Sequence, residues 1–291
     1  MNGILLFNKP KDISSFKAIR KVQAILNLKK VGHCGTLDPL ATGMLPIMIN
    51  EGTKYSQYII SNDKAYTVEL RLGFISDTYD IEGNIEQVLP SKKIELDDIK
   101  ALLKKFTGTQ SQLPPKYSAL KVNGKRAYEL ARKGIDFELK KRTIKISKIE
   151  LLESTNQHIN LYIECSKGTY IRTLVHDIGQ QLGCGAIMTK LHRNWVAPFQ
   201  NSISYDYNSL EECQIIPIES IFNQSITLDE ISTKAIIYGQ SINVKQQIKH
   251  EHLETIAIFN NNKKFIGIGE IEEYILKPKR LLANLHDQGC K

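Results

Sequence analysis

Residues 64–73 read KAYTVELRLG. Tyr66, Val68, Leu70 and Leu72 fall on one face of an extended chain, and Thr67, Glu69 and Arg71 on the other. That alternation predicts a half-buried strand of period two. Upstream, Ile4–Phe7 reads as a short strand and Met44–Ile49 as a buried one. Between them Ser14 or Ser15 caps a predicted helix running to about Leu28, with Phe16, Ile19, Val22, Ile25 and Leu26 on one face. Downstream, residues 95–106 form an amphipathic helix ended by Gly108, and Arg126–Lys133 a shorter one stopped by Gly134. Strands fit 143–152 and 159–166. A helix over 169–182 buries Ile171, Leu174, Val175, Ile178 and Leu182 and ends at Gly183. Strands and helices mix without a regular βαβ rhythm, so the expected class is α+β with a mainly antiparallel mixed sheet. Near residue 222 the texture changes. A helix over 227–238 is followed by ETIAIF (254–259), an NNNK turn (260–263) and KFIGIGEI (264–271). These predict a small β-rich unit, giving two domains, 1–222 and 223–291.

The 291 residues are 42% hydrophobic and 24% charged, ordinary for a globular protein. The longest apolar runs are too short to span a bilayer, and MNGILLFNKP lacks the form of a signal peptide. The expected location is the cytoplasm. Five cysteines, at 34, 165, 184, 213 and 290, are scattered and odd in number. This argues against a disulfide framework or a zinc site. His250 and His252 have no cysteine nearby, so no metal is expected. The net charge is +8, but residues 104–148 hold thirteen Lys or Arg against three acidic residues. Such a segment suits a polyanionic partner; a solvated lysine-rich face explains the composition equally well.

The stretch GHCGTLDPLATG (32–43) surrounds one carboxylate, Asp38, with turn-forming residues. An Asp-Pro pair is commonly an Asx-turn. Yet Gly32, Gly35 and Gly43 allow a backbone or a ligand to come close, and such loops often carry function. Arg172 stands in the first turn of the 169–182 helix, off its apolar stripe, where the helix dipole disfavours a cation. An acid elsewhere in the chain would account for it; a surface arginine is the plainer reading. Tyr66 is a core tyrosine or an aromatic platform for a base. His33 is a capped loop histidine or an RNA contact. GxxxxGK[ST] and GxGxxG are both absent from the sequence, which argues against phosphoryl-transfer and redox enzymes.

Taken in order, these blocks resemble the TruB-type tRNA pseudouridine-55 synthases. GHCGTLDPLATGMLPI (32–47) is similar to the family signature. NKP (8–10) with Ser14–Ser15, KAYTVELRLG (64–73), QLPPKYSALKVNGKRAYELAR (112–132), CSKGTYIRTLVHDIG (165–179) and LHRNWVAPF (191–199) resemble its further motifs. Residues 227–282 are similar to the small RNA-binding PUA type. The resemblance implies a pseudouridine synthase-like catalytic domain with a basic insertion at about 104–148, and a PUA-like C-terminal domain. It implies Asp38 as the catalytic aspartate, Tyr66 as the residue stacked on the target uracil, and Arg172 as the partner of Asp38. It further implies Leu191 in the pocket, His33 against the RNA near the flipped nucleotide, and Lys9 and Pro10 as substrate or RNA contacts in a loop at the site. The implied reaction converts uridine 55 in the T arm of tRNA to pseudouridine, with no cofactor and a monomer as the default. Departures occur at Asp12, where the family has glycine, and at His192, Asn194, Trp195 and Ala197, in what reads as an RNA-contacting loop. Two rivals share the resemblance: a guide-RNA-dependent synthase, and a non-catalytic RNA-binding or RNA-folding protein.

Overall fold

The computed structural model describes residues 2–88 and 94–282. Cys290 and the end of the expected second domain lie outside the described residues. In chain order, β1 (Gly3–Lys9) leads to helix α1 (Ser15–Ile25), β2 (Val31–His33), β3 (Thr42–Ile49), the single turn α2 (Gln57–Ile60) and β4 (Lys64–Leu72). A short hairpin, β5 (Phe74–Ser76) and β6 (Ile85–Gln87), precedes α3 (Leu96–Lys105) and β7 (Gly108–Gln112). The ribbon β8 (Lys121–Val122) and β9 (Lys125–Arg126) and helix α4 (Ala127–Arg132) come before β10 (Arg142–Ser154) and β11 (His158–Cys165). Then follow α5 (Ile171–Leu182) and β12 (Ala186–Val196).

These strands make an eight-stranded sheet in the order β1-β3-β12-β4-β11-β10-β7, with β2 on β3. Every pairing is antiparallel except β3 with β12, which touch in parallel through two residue pairs, Thr42–His192 and Gly43–Arg193. The class is α+β with a mixed, mainly antiparallel sheet, as expected. β4 keeps the predicted alternation: Tyr66, Val68, Leu70 and Leu72 are buried, and Thr67, Glu69 and Arg71 are half-buried. Its buried face joins Ala18, Ile19 and Val22 of α1, Ile99 and Leu102 of α3, and Leu174, Val175 and Ile178 of α5 in one core.

Ser14 caps α1 by accepting from the Lys17 N–H. The helix stops at Ile25 instead of Leu28, because Asn27 takes a left-handed φ of 48°. Phe16 does not lie on its buried face; it is 65% exposed, and the stripe is Ser15, Ala18, Ile19 and Val22. α5 ends where expected, with Gly183 in the left-handed conformation at φ 74°.

The C-terminal part builds β13 (Ser225–Thr227), α6 (Glu230–Ile237), β14 (Ile242–Asn243), β15 (Leu253–Phe259), β16 (Phe265–Glu272) and β17 (Ile275–Leu281). Its five-stranded sheet runs β13-β15-β16-β17-β14. Asp229 caps α6, shortening the expected helix at its start. A second apolar cluster joins Ile4, Leu6, Met44 and Met48 on the other face of the large sheet to Ala257, Phe265 and Ile268. The Tyr55 hydroxyl donates to the Arg280 carbonyl at 3.1 Å across the same contact.

Candidate active site

Asp38 lies in the turn between β2 and β3. The turn closes through the Ala41 N–H on the Asp38 carbonyl, 3.0 Å. It is pinned from α1: the buried Ser15 hydroxyl accepts from the Leu37 N–H at 2.8 Å and donates to the Leu37 carbonyl at 2.9 Å. Lys9 pins it from the other side. Its ammonium donates to the carbonyls of Pro10, Ile13 and Pro39 at 2.8, 2.8 and 3.2 Å. The resemblance suggested Lys9 as a substrate contact, but the residue is 0% exposed. It is a tie between two loops, while the neighbouring Pro10 is exposed. Burial pulls the Lys9 ammonium down to about 8, and the Asp38 carboxylate partly offsets this.

Arg172, at the second position of α5, is where the unfavourable cation at a helix start is explained. Its Nε is 3.0 Å from Asp38 Oδ2, and its Nη1 is 3.2 Å from Asp80 Oδ2. Nη1 also donates to the Thr78 carbonyl at 3.2 Å, and Nη2 to the Tyr117 carbonyl at 3.0 Å. The side chain is off the apolar stripe, as expected, yet buried, because these acceptors cover it. A planar fork serves several acceptors at fixed angles, which a lysine cannot do.

Asp80 escaped the sequence reading. It is 1% exposed, and its second oxygen accepts from the Thr78 hydroxyl at 2.6 Å and the Glu82 N–H at 3.0 Å. The signal was present in Asp77, Asp80 and Glu82 crowding one short loop, but surface loops are commonly acidic. The two aspartates therefore differ. Asp80 is saturated with bonds. Asp38 accepts from Arg172 through Oδ2, and its side chain keeps 35% exposure. Burial pushes the Asp38 carboxyl above the usual carboxylate range; Arg172 pulls it back, Asp80 pushes it up again, and Lys9 opposes that. Glu82, nearby, is also raised, by burial and then by Asp80 and Asp38.

Tyr66 is 7% exposed. Its cross-strand partner on β12 is Arg193, buried to 1%. Burial raises the Tyr66 phenol to about 12, and the Arg193 guanidinium acts against that rise. His33 ends β2, half-buried, with Nδ1 buried and unbonded; burial and then Arg193 lower its pKa. Leu191 is buried in the core and lines a cavity of about 690 Å³ together with Leu40, Thr42, Lys190 and His192. That cavity extends over Thr67 and Glu69 of β4 to Glu153 of β10 and Asn160 of β11, and Asp38, Tyr66 and Arg172 do not line it.

Three family models match the chain in succession. Residues 23–171 match the "TruB family pseudouridylate synthase (N terminal domain)". Residues 172–232 match the "tRNA pseudouridylate synthase B C-terminal domain", and 225–282 match "Pseudouridine synthase II TruB, C-terminal". The chain belongs to the TruB family of pseudouridylate synthases. It is 41% identical to a protein of Clostridium acetobutylicum named tRNA pseudouridine synthase B, covering 97% of this chain and 100% of that one. It is 38% identical to the protein of that name from Idiomarina loihiensis, over 98% of this chain and 96% of the other. The fold also matches a solved structure described as a Cbf5-Nop10-Gar1 complex, with a TM-score of 0.72 at 22% identity, over 96% of this chain and 84% of that one.

In this TruB-family site, one stretch needs correcting. Residues 192–196, read as part of a loop, belong to β12, next to β4 in the middle of the sheet. His192 and Asn194 point outward, where they bond Thr42 and Thr67, at 2.8 and 3.1 Å. The Trp195 indole donates to the Tyr162 hydroxyl at 3.1 Å. Two register shifts in this strand break its alternation and hid it from the sequence reading. The glycines also separate. Gly43, φ 102°, packs so closely that a Cβ there would meet the Arg193 carbonyl oxygen at 2.3 Å. At Gly32 a Cβ would make only an ordinary contact, 3.6 Å from Thr53. Among the described residues no group of three or more His, Cys, Asp or Glu side chains is arranged to hold a metal. No described helix is long and apolar enough to cross a membrane.

Proposed function

We propose that this chain converts uridine 55 in the T arm of tRNA to pseudouridine, with Asp38 as the catalytic carboxylate. The observation that carries the reading is the unequal pair of aspartates. One guanidinium binds both, yet Asp80 is enclosed and Asp38 retains an open side. A carboxylate aimed by a planar cation and accessible from one side suits, once ionised, attack or proton removal at a sugar or a pyrimidine. The relatives named tRNA pseudouridine synthase B support tRNA as the substrate.

The reaction breaks N1–C1′ and forms C5–C1′; the C5 hydrogen leaves and N1 gains a proton. Asp38 supplies the carboxylate that this exchange of bonds requires. Tyr66 supports the uracil while it is detached, and Leu191 walls the pocket. The target base must first leave its stack, at a cost of a few kcal/mol. The excursion between β7 and β10 helps to offset that cost. It bears exposed Lys121, Lys125, Arg126 and Lys133, suited to phosphates. It is also anchored at the site by the bond from Arg172 to the Tyr117 carbonyl.

The test is tritium release from a T-arm hairpin carrying [5-³H]uridine at position 55 alone, comparing wild type with Asp38→Asn. Release by the wild type and none by the variant is the expected result. Equal release by both removes Asp38 from the chemistry. Tight hairpin binding by the wild type without release favours the RNA-binding reading.

A further inference from the structure

The segment that serves Arg172 from the loop between β5 and β6 is laid along α5 in register with it. Thr78 and Asp80 hold the guanidinium, through the Thr78 carbonyl and the Asp80 carboxylate, at 3.2 Å each. Tyr79, between them, lies on His176: the two rings stack with centroids 4.1 Å apart and planes 19° from parallel. Arg172 and His176 stand four residues apart on α5, so they are neighbours on one helical face. Three successive loop residues therefore grip two side chains one helical turn apart.

Tyr79 adopts an unusual backbone. Its φ is 65°, a left-handed conformation that glycine or asparagine takes readily and a bulky residue does not. A tyrosine here puts a ring against α5 in spite of its backbone. His176 meets that ring with its flat face. Its Nδ1 is buried without a hydrogen-bond partner among the described residues, and burial lowers its pKa, so the imidazole stacks uncharged at neutral pH. The main chain beside the stack is tied to a different element. The Tyr79 carbonyl accepts from the Met188 N–H at 3.0 Å, and the Ile81 N–H donates to the Met188 carbonyl at 3.2 Å. β12 thus fixes the loop from one side, and the stack fixes it against α5. Strain kept beside a catalytic group points to a function for it.

We propose that Tyr79 and His176 are positioning residues for the reaction: their stack sets the distance between the 78–80 segment and α5, and so the plane of Arg172 and the direction of Asp38. Neither ring takes part in the chemistry. Without the stack the segment backs away from α5, the Thr78 carbonyl and Asp80 leave the guanidinium, and Asp38 loses its aim. A misplacement of about 1 Å in a reacting group costs about 100-fold in rate. The inference rests on the synthase reading above.

The experiment measures single-turnover tritium release and hairpin affinity for wild type, His176→Ala, His176→Phe and Tyr79→Gly, with enzyme in excess over the T-arm hairpin. His176→Ala is expected to slow turnover by about 10–100-fold with affinity within about twofold, and His176→Phe, which restores a flat ring, to recover the rate to within about threefold of the wild type. Tyr79→Gly relieves the backbone and removes the ring; it should be as slow as His176→Ala. A stack that serves stability alone predicts otherwise: a lower melting temperature for His176→Ala, with the turnover of the folded enzyme unchanged. That result, a His176→Phe variant as slow as His176→Ala, or a Tyr79→Gly variant as fast as the wild type would overturn the proposal. In an Asp80→Asn background the loss from His176→Ala should shrink to about twofold, because both changes act through one contact; an undiminished loss there also rejects it. Should His176→Ala fail to melt cooperatively, Tyr79→Gly carries the comparison, with the same deciding outcomes. A wild type that releases no C5 hydrogen rejects the synthase reading and this inference with it, an outcome distinct from an active wild type with unaffected variants.

Discussion

Arg172 shows what fixes a catalytic carboxylate at the residue scale. Two carboxylates and two carbonyls share one guanidinium, so its plane sets the direction of Asp38. Arg172→Lys keeps a charge and loses that plane. Turnover should fall by about 100-fold or more, as for misplaced reacting groups, with hairpin affinity nearly unchanged; unaltered single-turnover kinetics would discard the oriented pair. Asp38 also carries a stability signature. Burial raises its carboxyl above the unfolded value, so its ionisation favours the unfolded chain, and stability drops as pH rises through the folded pKa. Asp38→Asn lacks this penalty. The variant should melt above the wild type at pH 8, and the two should converge below about pH 4, where the unfolded carboxyl is also protonated. Melts across that range check it. At this scale the sequence was legible for Arg172, whose placement asked for an acid elsewhere in the chain, and the family resemblance named Asp38 as that acid. It was not legible for Asp80, because nothing in an acidic loop tells which carboxylate will be buried. Nor did it show that Lys9 is spent on three carbonyls, since that depends on two loops meeting.

At the scale of elements, the join between β3 and β12 decides the site. Regular alternation made β4 readable, and caps made α1, α3 and α5 readable. β12 was missed because its register shifts twice, and β17 because Pro278 argues against a strand. Gly43 is where the join is tightest. Its φ of 102° and the nearness of the Arg193 backbone exclude a side chain. Gly43→Ala should destabilise the fold by about 2–4 kcal/mol, through backbone strain and a steric clash. Urea denaturation measures this, and a cost under about 0.5 kcal/mol, the range of neutral surface changes, would show that the join is looser than described.

For the whole molecule, the charge imbalance was plain in composition, but its geometry was not. β7 and β10 are paired, so between these strands the basic stretch leaves the sheet over residues 113–141, returning to the site at Tyr117. Replacing Lys121, Lys125, Arg126 and Lys133 by Gln should weaken hairpin binding and flatten its salt dependence. The slope of log K against log salt should shrink by about 0.7–0.9 for each phosphate no longer neutralised. Binding titrations at several salt concentrations would show an unchanged slope if this face is merely solvated.

The parallel join also has a consequence in time. Residues 42–43 meet residues 192–193, and Asp38 meets Arg172, so the site is assembled from distant parts of the chain. At roughly 5–20 residues per second, about 7–27 s of synthesis separate the two members of that pair. Contacts so far apart in sequence also form slowly in the finished chain. A half-made polypeptide therefore displays the turn that bears Asp38 without the cation that aims it. The site is complete only once Arg172 has been made and β12, the last strand of the large sheet, has been laid in between β3 and β4.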